Sequence, residues 1–206
     1  MRAVRKNWLR ILTHVGALIP LARLAWRYWR GLMFDPIRQV TTGTGRAALA
    51  LLLLSLACTP IATLGFKRVM RVRRALGLYA FLYASLHGLT FAGWDYGFDL
   101  RLLKPAILNQ QFVLAGSTAF LLLLLLAVTS TRGWQKRLGK SWKRVHRLVY
   151  LAGIAVIVHF VWLSKDPRRA WQYGAALALL LVARIPAVKK TLDKVRQRFK
   201  NRTSAG

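Results

Sequence analysis

Charged residues are missing from long stretches of this chain. Ala47–Phe66 and Ala75–Trp94 carry no charge, the second being interrupted only by His87. Ala106–Thr131 is longer still and contains the unbroken leucines Leu121–Leu126. Leu148–Ser164 surrounds His159, and Ala170–Val188 holds a single charge, Arg184, near its end. Crossing a hydrocarbon core of ~30 Å takes roughly 20 helical residues at ~1.5 Å each, so each stretch predicts a transmembrane helix. A sixth, Ile11–Ala22, is cut short by Arg23. A basic start and a short apolar core also describe a signal peptide. Trp26, Tyr28 and Trp29 extend the segment with interfacial aromatics, and Arg23, Arg27 and Arg30 can snorkel, which favours a retained first helix. The expected fold class is all-α: a polytopic membrane helical bundle of about six transmembrane helices. The spans fall near 9–29, 47–66, 75–94, 111–130, 146–164 and 170–188, with a basic tail at 189–206. One membrane domain fills residues 1–206.

Composition and charge agree with that pattern and add an orientation. Of 206 residues 55% are hydrophobic, yet 34 Lys+Arg face 5 Asp+Glu, a net charge of +29. A soluble domain carries both signs of charge on its surface, and a nucleic-acid binder gathers its basic residues on a polar face. Here they sit in short runs between apolar stretches, so no nucleic-acid partner is expected and contact with membrane lipid is. Residues 1–10 hold four Lys+Arg, 65–74 five, 131–144 six and 189–206 seven, while 31–46, 94–110 and 164–169 hold two, two and three. Basic segments stay in the cytoplasm, which places both termini there, with an even number of spans. Asp35, Asp95, Asp99 and Asp166 lie in the opposite loops and read as solvated loop residues. Cys58 is the single cysteine, a packing residue with no intrachain partner. No internal repeat or linker stands out.

The four histidines, His14, His87, His146 and His159, all lie within or at the edge of spans, where an ionisable side chain is costly and suggests function. Neutral imidazole ligates metals and haem iron. Counted from the basic edges at Arg74 and Arg144, His87 and His159 reach matching depths of ~20 and ~22 Å on helices running the same way. A porphyrin held edge-on between the third and fifth spans needs that arrangement. His146 sits at the cytoplasmic boundary with no histidine opposite, near the level of Arg73. The separation of His146 from His159 turns a straight helix by ~220°, so the two need not share a face. One bis-histidine site is supported. A single intramembrane histidine is otherwise a polar link between helices, and that is the reading for His14.

Three segments carry a family likeness: RRALGLYAFLYASLH at Arg73–His87, the turn Thr129–Thr131, and LGKSWKRVHRLVYLAGIAVIVHFVWLSK at Leu138–Lys165. Together they resemble the MsrQ family, haem-binding membrane subunits of the periplasmic methionine-sulfoxide reductase system, within the wider ferric-reductase-like transmembrane group. The likeness runs from about Asp35 to Pro186. It implies b-type haem, FMN binding, and electron delivery from the quinone pool to a periplasmic molybdenum-cofactor partner. By that likeness His87, His146 and His159 match the family's haem-associated histidines, with His87 and His159 as the iron ligands and His146 as a further candidate. The chain departs from the wider group in carrying Arg73 where an inner histidine is common. It departs again in the loop DPIRQVTTGTG from Asp35, where relatives commonly have a histidine near Thr42. FMN has no signature of its own here.

The expected role is electron transfer within a reductase complex, with no substrate-converting residues in this chain. Arg73, Arg74 and Arg144 are candidates to neutralise a propionate or flavin phosphate, though as cytoplasmic anchors they need no such role. The segment after Val188, KKTLDKVRQRFKNRTSAG, shows no nicotinamide-binding pattern. Electrons are therefore expected from a lipid-soluble donor or a separate flavin reductase. Two rivals remain: a free-standing haem reductase acting on metal or oxygen, and a cofactor-free transporter or scaffold. The latter would be expected to show interrupted helices and repeated halves.

Overall fold

The computed structural model describes residues 2–164, 166–188, 190, 191 and 197. They are helical nearly throughout, with no strand among them. The long elements are α1 (Arg2–Trp29), α2 (Pro36–Thr63) and α3 (Arg73–Thr90), the last continued by a wider π turn at Phe91–Asp95. After α4 (Leu100–Asn109) come α5 (Gln111–Val128), the short α6 (Arg132–Leu138) and α7 (Trp142–Val145), then α8 (Leu148–Leu163) and α9 (Pro167–Val182).

Helix starts are dictated by short polar residues. Asp35, Asp99 and Asp166 are the N-caps of α2, α4 and α9, their carboxylates accepting from the backbone N–H of Arg38, Arg101 and Arg168. Such a cap is worth ~1 kcal/mol. Three of the four acids read as solvated loop residues therefore have a local structural task. Pro36 and Pro167 follow their caps at the first helical position, where the missing N–H costs nothing. The largest departure from expectation is here: α2 begins at Pro36, and DPIRQVTTGTG is its cap and opening turns, not a loop.

Among the described residues four helices are long and apolar enough to cross a membrane. A fifth crossing is formed if α8 is joined to the segment Arg132–Val145, from which it is bent by 54°. The 16 residues of α9 rise only ~24 Å before a turn at 183–185 that precedes Pro186. By length and apolarity the described residues thus supply four or five spans against the six expected. The tail 189–206 lies almost wholly outside the described residues.

Two antiparallel hairpins organise the bundle, α2 packed along α3 and α5 along α8, with α3 against α5 joining them. α1 lies on α2 and α3, and α9 on α8 and α2. Leu52, Leu56, Ala80, Tyr83, Leu123, Ala152 and Leu177 form the common core. Ala80 and Ala152 are wholly buried; small residues at such crossings let helix backbones approach, which is how helices associate in lipid. Leu54, Leu121, Leu151 and Leu179 point outward and are exposed, as lipid-facing side chains of a membrane protein are. One end of the bundle carries the basic turns 65–74 and 131–144, and the other carries Asp35, Asp95, Asp99 and Asp166. These are the basic end and the acid end of the bundle.

Tyr83 couples α1 to this core. Its hydroxyl donates to the carbonyl of Ala17 (2.6 Å) and accepts from the N–H of Leu21 (3.0 Å). Those two groups are the pair that an uninterrupted helix would join directly, and Pro20 stands between them. The phenol is inserted into the α1 ladder beside its proline, one of the recognised ways a helix bends. α1 is thereby tied to α3 and the core of the bundle.

Candidate functional site

Near the acid end, His87 and His159 come together. His87 stands three residues before the end of α3 and His159 four before the end of α8. Their ring centroids lie 6.0 Å apart with planes 79° from parallel. Both rings are half-buried. Each Nδ1 is engaged by a backbone carbonyl of the adjacent helix. His87 donates to Thr41 of α2 at 2.9 Å, and His159 to Phe112 of α5 at 2.6 Å. A carbonyl can only accept, so Nδ1 carries the proton in each ring and Nε2 keeps its lone pair. The matching depths expected from the spacing to Arg74 and Arg144 thus correspond to a contact between the two rings.

The other two histidines are placed differently. His14, on the exposed face of α1, shares a hydrogen bond of 2.9 Å with the Tyr79 hydroxyl and meets that ring edge-on. It links α1 to α3, as a lone intramembrane histidine commonly does. His146 lies in the turn between α7 and α8, outside both helices and at the bend. Its ring lies over Trp142, centroids 4.1 Å apart, and its Nε2 is 3.3 Å from Thr129 Oγ1. Trp142 Nε1 donates to the Thr129 carbonyl. Because the Thr129 hydroxyl already donates to Leu125, His146 is the donor through Nε2–H, which leaves Nδ1 with the lone pair. That is the opposite tautomer from His87 and His159. The stretch from His146 to His159, expected as one straight span, is interrupted by the bend, so the helical-wheel estimate of ~220° does not apply.

At the basic end Arg184, noted in sequence only as a charge near a span's end, reaches inward. It donates to the Tyr150 hydroxyl at 2.7 Å and to the Leu56 carbonyl, with its guanidinium over the Tyr150 ring at 5.0 Å. It ties the turn after α9 to α8 and α2. Arg73 enters through its backbone, accepting from Ser55 Oγ at 3.0 Å. Among the described residues the single ion pair is the exposed Arg169–Asp166. No group of three or more His, Cys, Asp or Glu gathers among them, so a bare-ion site of three or four protein ligands has no candidate. Two neighbouring imidazoles whose Nε2 atoms keep their lone pairs could instead hold the iron of a haem between them. Sequence reasoning missed the Thr41 and Phe112 carbonyls, since backbone acceptors carry no residue-type signal.

The all-helical bundle with its long apolar helices defines the broad class, a helical membrane protein, and the chain's relatives narrow it. Residues 44–158 match the ferric reductase like transmembrane component family, a stretch that takes in His87 and His146 and stops one residue short of His159. The protein-methionine-sulfoxide reductase heme-binding subunit MsrQ of Xanthomonas axonopodis pv. citri is 41% identical over 184 residues, 84% of each chain. Its namesake in Caulobacter vibrioides is 41% identical over 187 residues, 89% of each chain. The chain belongs to the MsrQ family of the ferric-reductase-like transmembrane group. No solved structure matches it.

Proposed function

We propose that this chain is the haem b-holding electron-transfer subunit of a methionine-sulfoxide reductase system, with His87 and His159 as the axial ligands. The observation that carries the reading is the 6.0 Å separation of the two rings. Metal–imidazole nitrogen bonds are ~2 Å, so two coaxial ligands with their ring radii set centroids roughly 6 Å apart. The donor set fits as well: two neutral imidazoles, each with Nδ1–H held by a carbonyl and Nε2 left as the electron-pair donor. Second-sphere acceptors of this kind fix tautomer and ring orientation and raise ligand basicity. Haem held there would supply a one-electron carrier. The protein's own work is to orient the two imidazoles, hold their Nδ1 protons and surround them with apolar helices.

Orientation supports the direction of flow. With the basic end in the cytoplasm, the histidine pair lies close to the periplasmic ends of α3 and α8. Electrons enter from the quinone pool and leave to a docked periplasmic molybdenum-cofactor reductase that acts on oxidised methionine. His146, at the cytoplasmic boundary, is the quinone or flavin contact of this scheme. Its Nδ1 lone pair is free to accept a hydrogen bond from a bound quinol or flavin. His146→Ala should slow reduction by quinol while leaving the spectrum held by His87 and His159 intact. Disappearance of a distinct half of the haem absorbance would reveal a second haem at His146 and sink the single-site reading.

The function itself is tested by reoxidation. Pre-reduced protein should be reoxidised rapidly only when the periplasmic partner and a methionine-sulfoxide substrate are both present, and slowly by either alone. Reoxidation that ignores the partner and follows added ferric chelate would favour a free-standing reductase.

A further inference from the structure

The two histidines are seated by the same local device, although the helices that receive them share no motif. His87 donates to the carbonyl of Thr41, and four residues after Thr41 stands Gly45. His159 donates to the carbonyl of Phe112, and four residues after Phe112 stands Gly116. In an α-helix each Cα–Cβ bond leans toward the N-terminus, so a side chain covers the turn that precedes it. The carbonyl of residue i already accepts the N–H of residue i+4. Its second lone pair is open to a neighbouring ring where residue i+4 has no side chain to cover it. A Cβ built on Gly45 would lie 3.1 Å from His87 Nδ1, and one built on Gly116 would lie 2.7 Å from His159 Nδ1. In both cases the nearest atom is the one that donates the hydrogen bond.

The likeness extends to the helices around these residues. α2–α3 and α5–α8 are both antiparallel hairpins, entered from the acid end and leaving by it. In each, the acceptor lies in the opening turns of the first helix and the histidine within four residues of the end of the second. A mid-helix glycine is less favourable than alanine by ~1 kcal/mol, so helix stability does not account for two of them at equivalent places. Gly88 provides the contrast: it directly follows His87, and a Cβ there would meet nothing within 4 Å.

We propose that Gly45 and Gly116 are positioning residues for haem ligation. They are equivalent seats in two like hairpins, each letting an imidazole close onto the carbonyl four residues earlier and so commit Nε2 to the iron. The proposal rests on the assignment of His87 and His159 as ligands, and the experiment separates the two.

The full chain is purified in detergent without haem and titrated with hemin, as parent, Gly45→Ala, Gly116→Ala and Gly88→Ala. Gly116→Ala should bind haem roughly 10–100-fold more weakly, the usual effect of removing an outer-sphere partner of a metal ligand. Gly45→Ala should lose less, since its neighbour has to yield only slightly, and Gly88→Ala should match the parent. Haem retained by either seat variant should show a raised midpoint potential, because an imidazole without its Nδ1–H···O=C partner is a poorer donor to ferric iron. A glycine that served helix packing alone would leave that potential where it was. Should Gly116→Ala fail to fold, as read from the circular dichroism of the haem-free protein, Gly45→Ala carries the test. Parent-like affinity and potential in the seat variants would overturn the proposal, as would an equal loss in Gly88→Ala. His87→Ala and His159→Ala are titrated alongside. If they keep the haem, the ligand assignment is at fault; if they lose it while the seat variants behave as parent, only the glycine proposal falls.

Discussion

Replacing either His87 or His159 by alanine is expected to remove most of the low-spin b-type absorbance from the purified protein, and replacing both to remove it entirely. The expectation follows from how the pair is built. The rings come from different hairpins, one on α3 and one on α8, and meet at 6.0 Å. Each is locked by a single hydrogen bond to a neighbouring backbone, at 2.9 and 2.6 Å. No other histidine is placed to substitute. His14 is committed to Tyr79 on the exposed face of α1, and His146 is held against Trp142 and Thr129 at the bend before α8. His14→Ala should therefore leave the spectrum largely intact. Optical and paramagnetic-resonance spectra of the four variants, at matched protein and with helicity checked, decide the matter. Full haem with an unchanged spectrum in both His87→Ala and His159→Ala would mean the ligands lie elsewhere.

Tyr83 should give the largest loss of stability of any single side chain away from the histidines. It is 1% exposed and belongs to the common core, and its hydroxyl serves both Ala17 and Leu21 across the Pro20 break in α1. Tyr83→Phe keeps the ring and removes the bridge, leaving buried backbone groups without their partner, a cost of about 1–3 kcal/mol. Tyr83→Ala adds the cavity of a lost aromatic ring, for which large-to-small substitutions cost about 3–5 kcal/mol. Unfolding curves in mixed micelles should rank parent above Tyr83→Phe above Tyr83→Ala. A Tyr83→Phe protein as stable as the parent would show that α1 closes its own ladder and does not depend on the phenol.

The linear sequence was enough to establish a helical membrane protein, because apolar length and the absence of charge are local properties of the chain. It also carried the MsrQ likeness in the segments around His87, His146 and His159. The span edges were less legible. Arg38 and the polar run Gln39–Gly45 made the start of α2 look like a loop, although Asp35 and Pro36 form a cap and first turn that sequence rules can recognise. Polar residues are tolerated at the outer end of a long helix because they lie near the interface, and hydropathy alone cannot see that the backbone stays helical through them. The bend before α8 was hidden for the opposite reason: apolar residues continue on from the turn at His146, and only the packing of Trp142 on Thr129 shows where the helix breaks.

The pairing of the histidines belongs to both levels. Equal counts from the basic edges put His87 and His159 at similar depths, but depth says nothing about which faces of two helices turn toward each other. Packing α2 on α3, α5 on α8 and α3 on α5 settled that. The tautomers, the carbonyls of Thr41 and Phe112, and the openings at Gly45 and Gly116 were decided by tertiary structure alone. A backbone acceptor is present at every residue, and which one is left uncovered for a neighbour's ring depends on how closely two helices approach and on the side chain four residues further along.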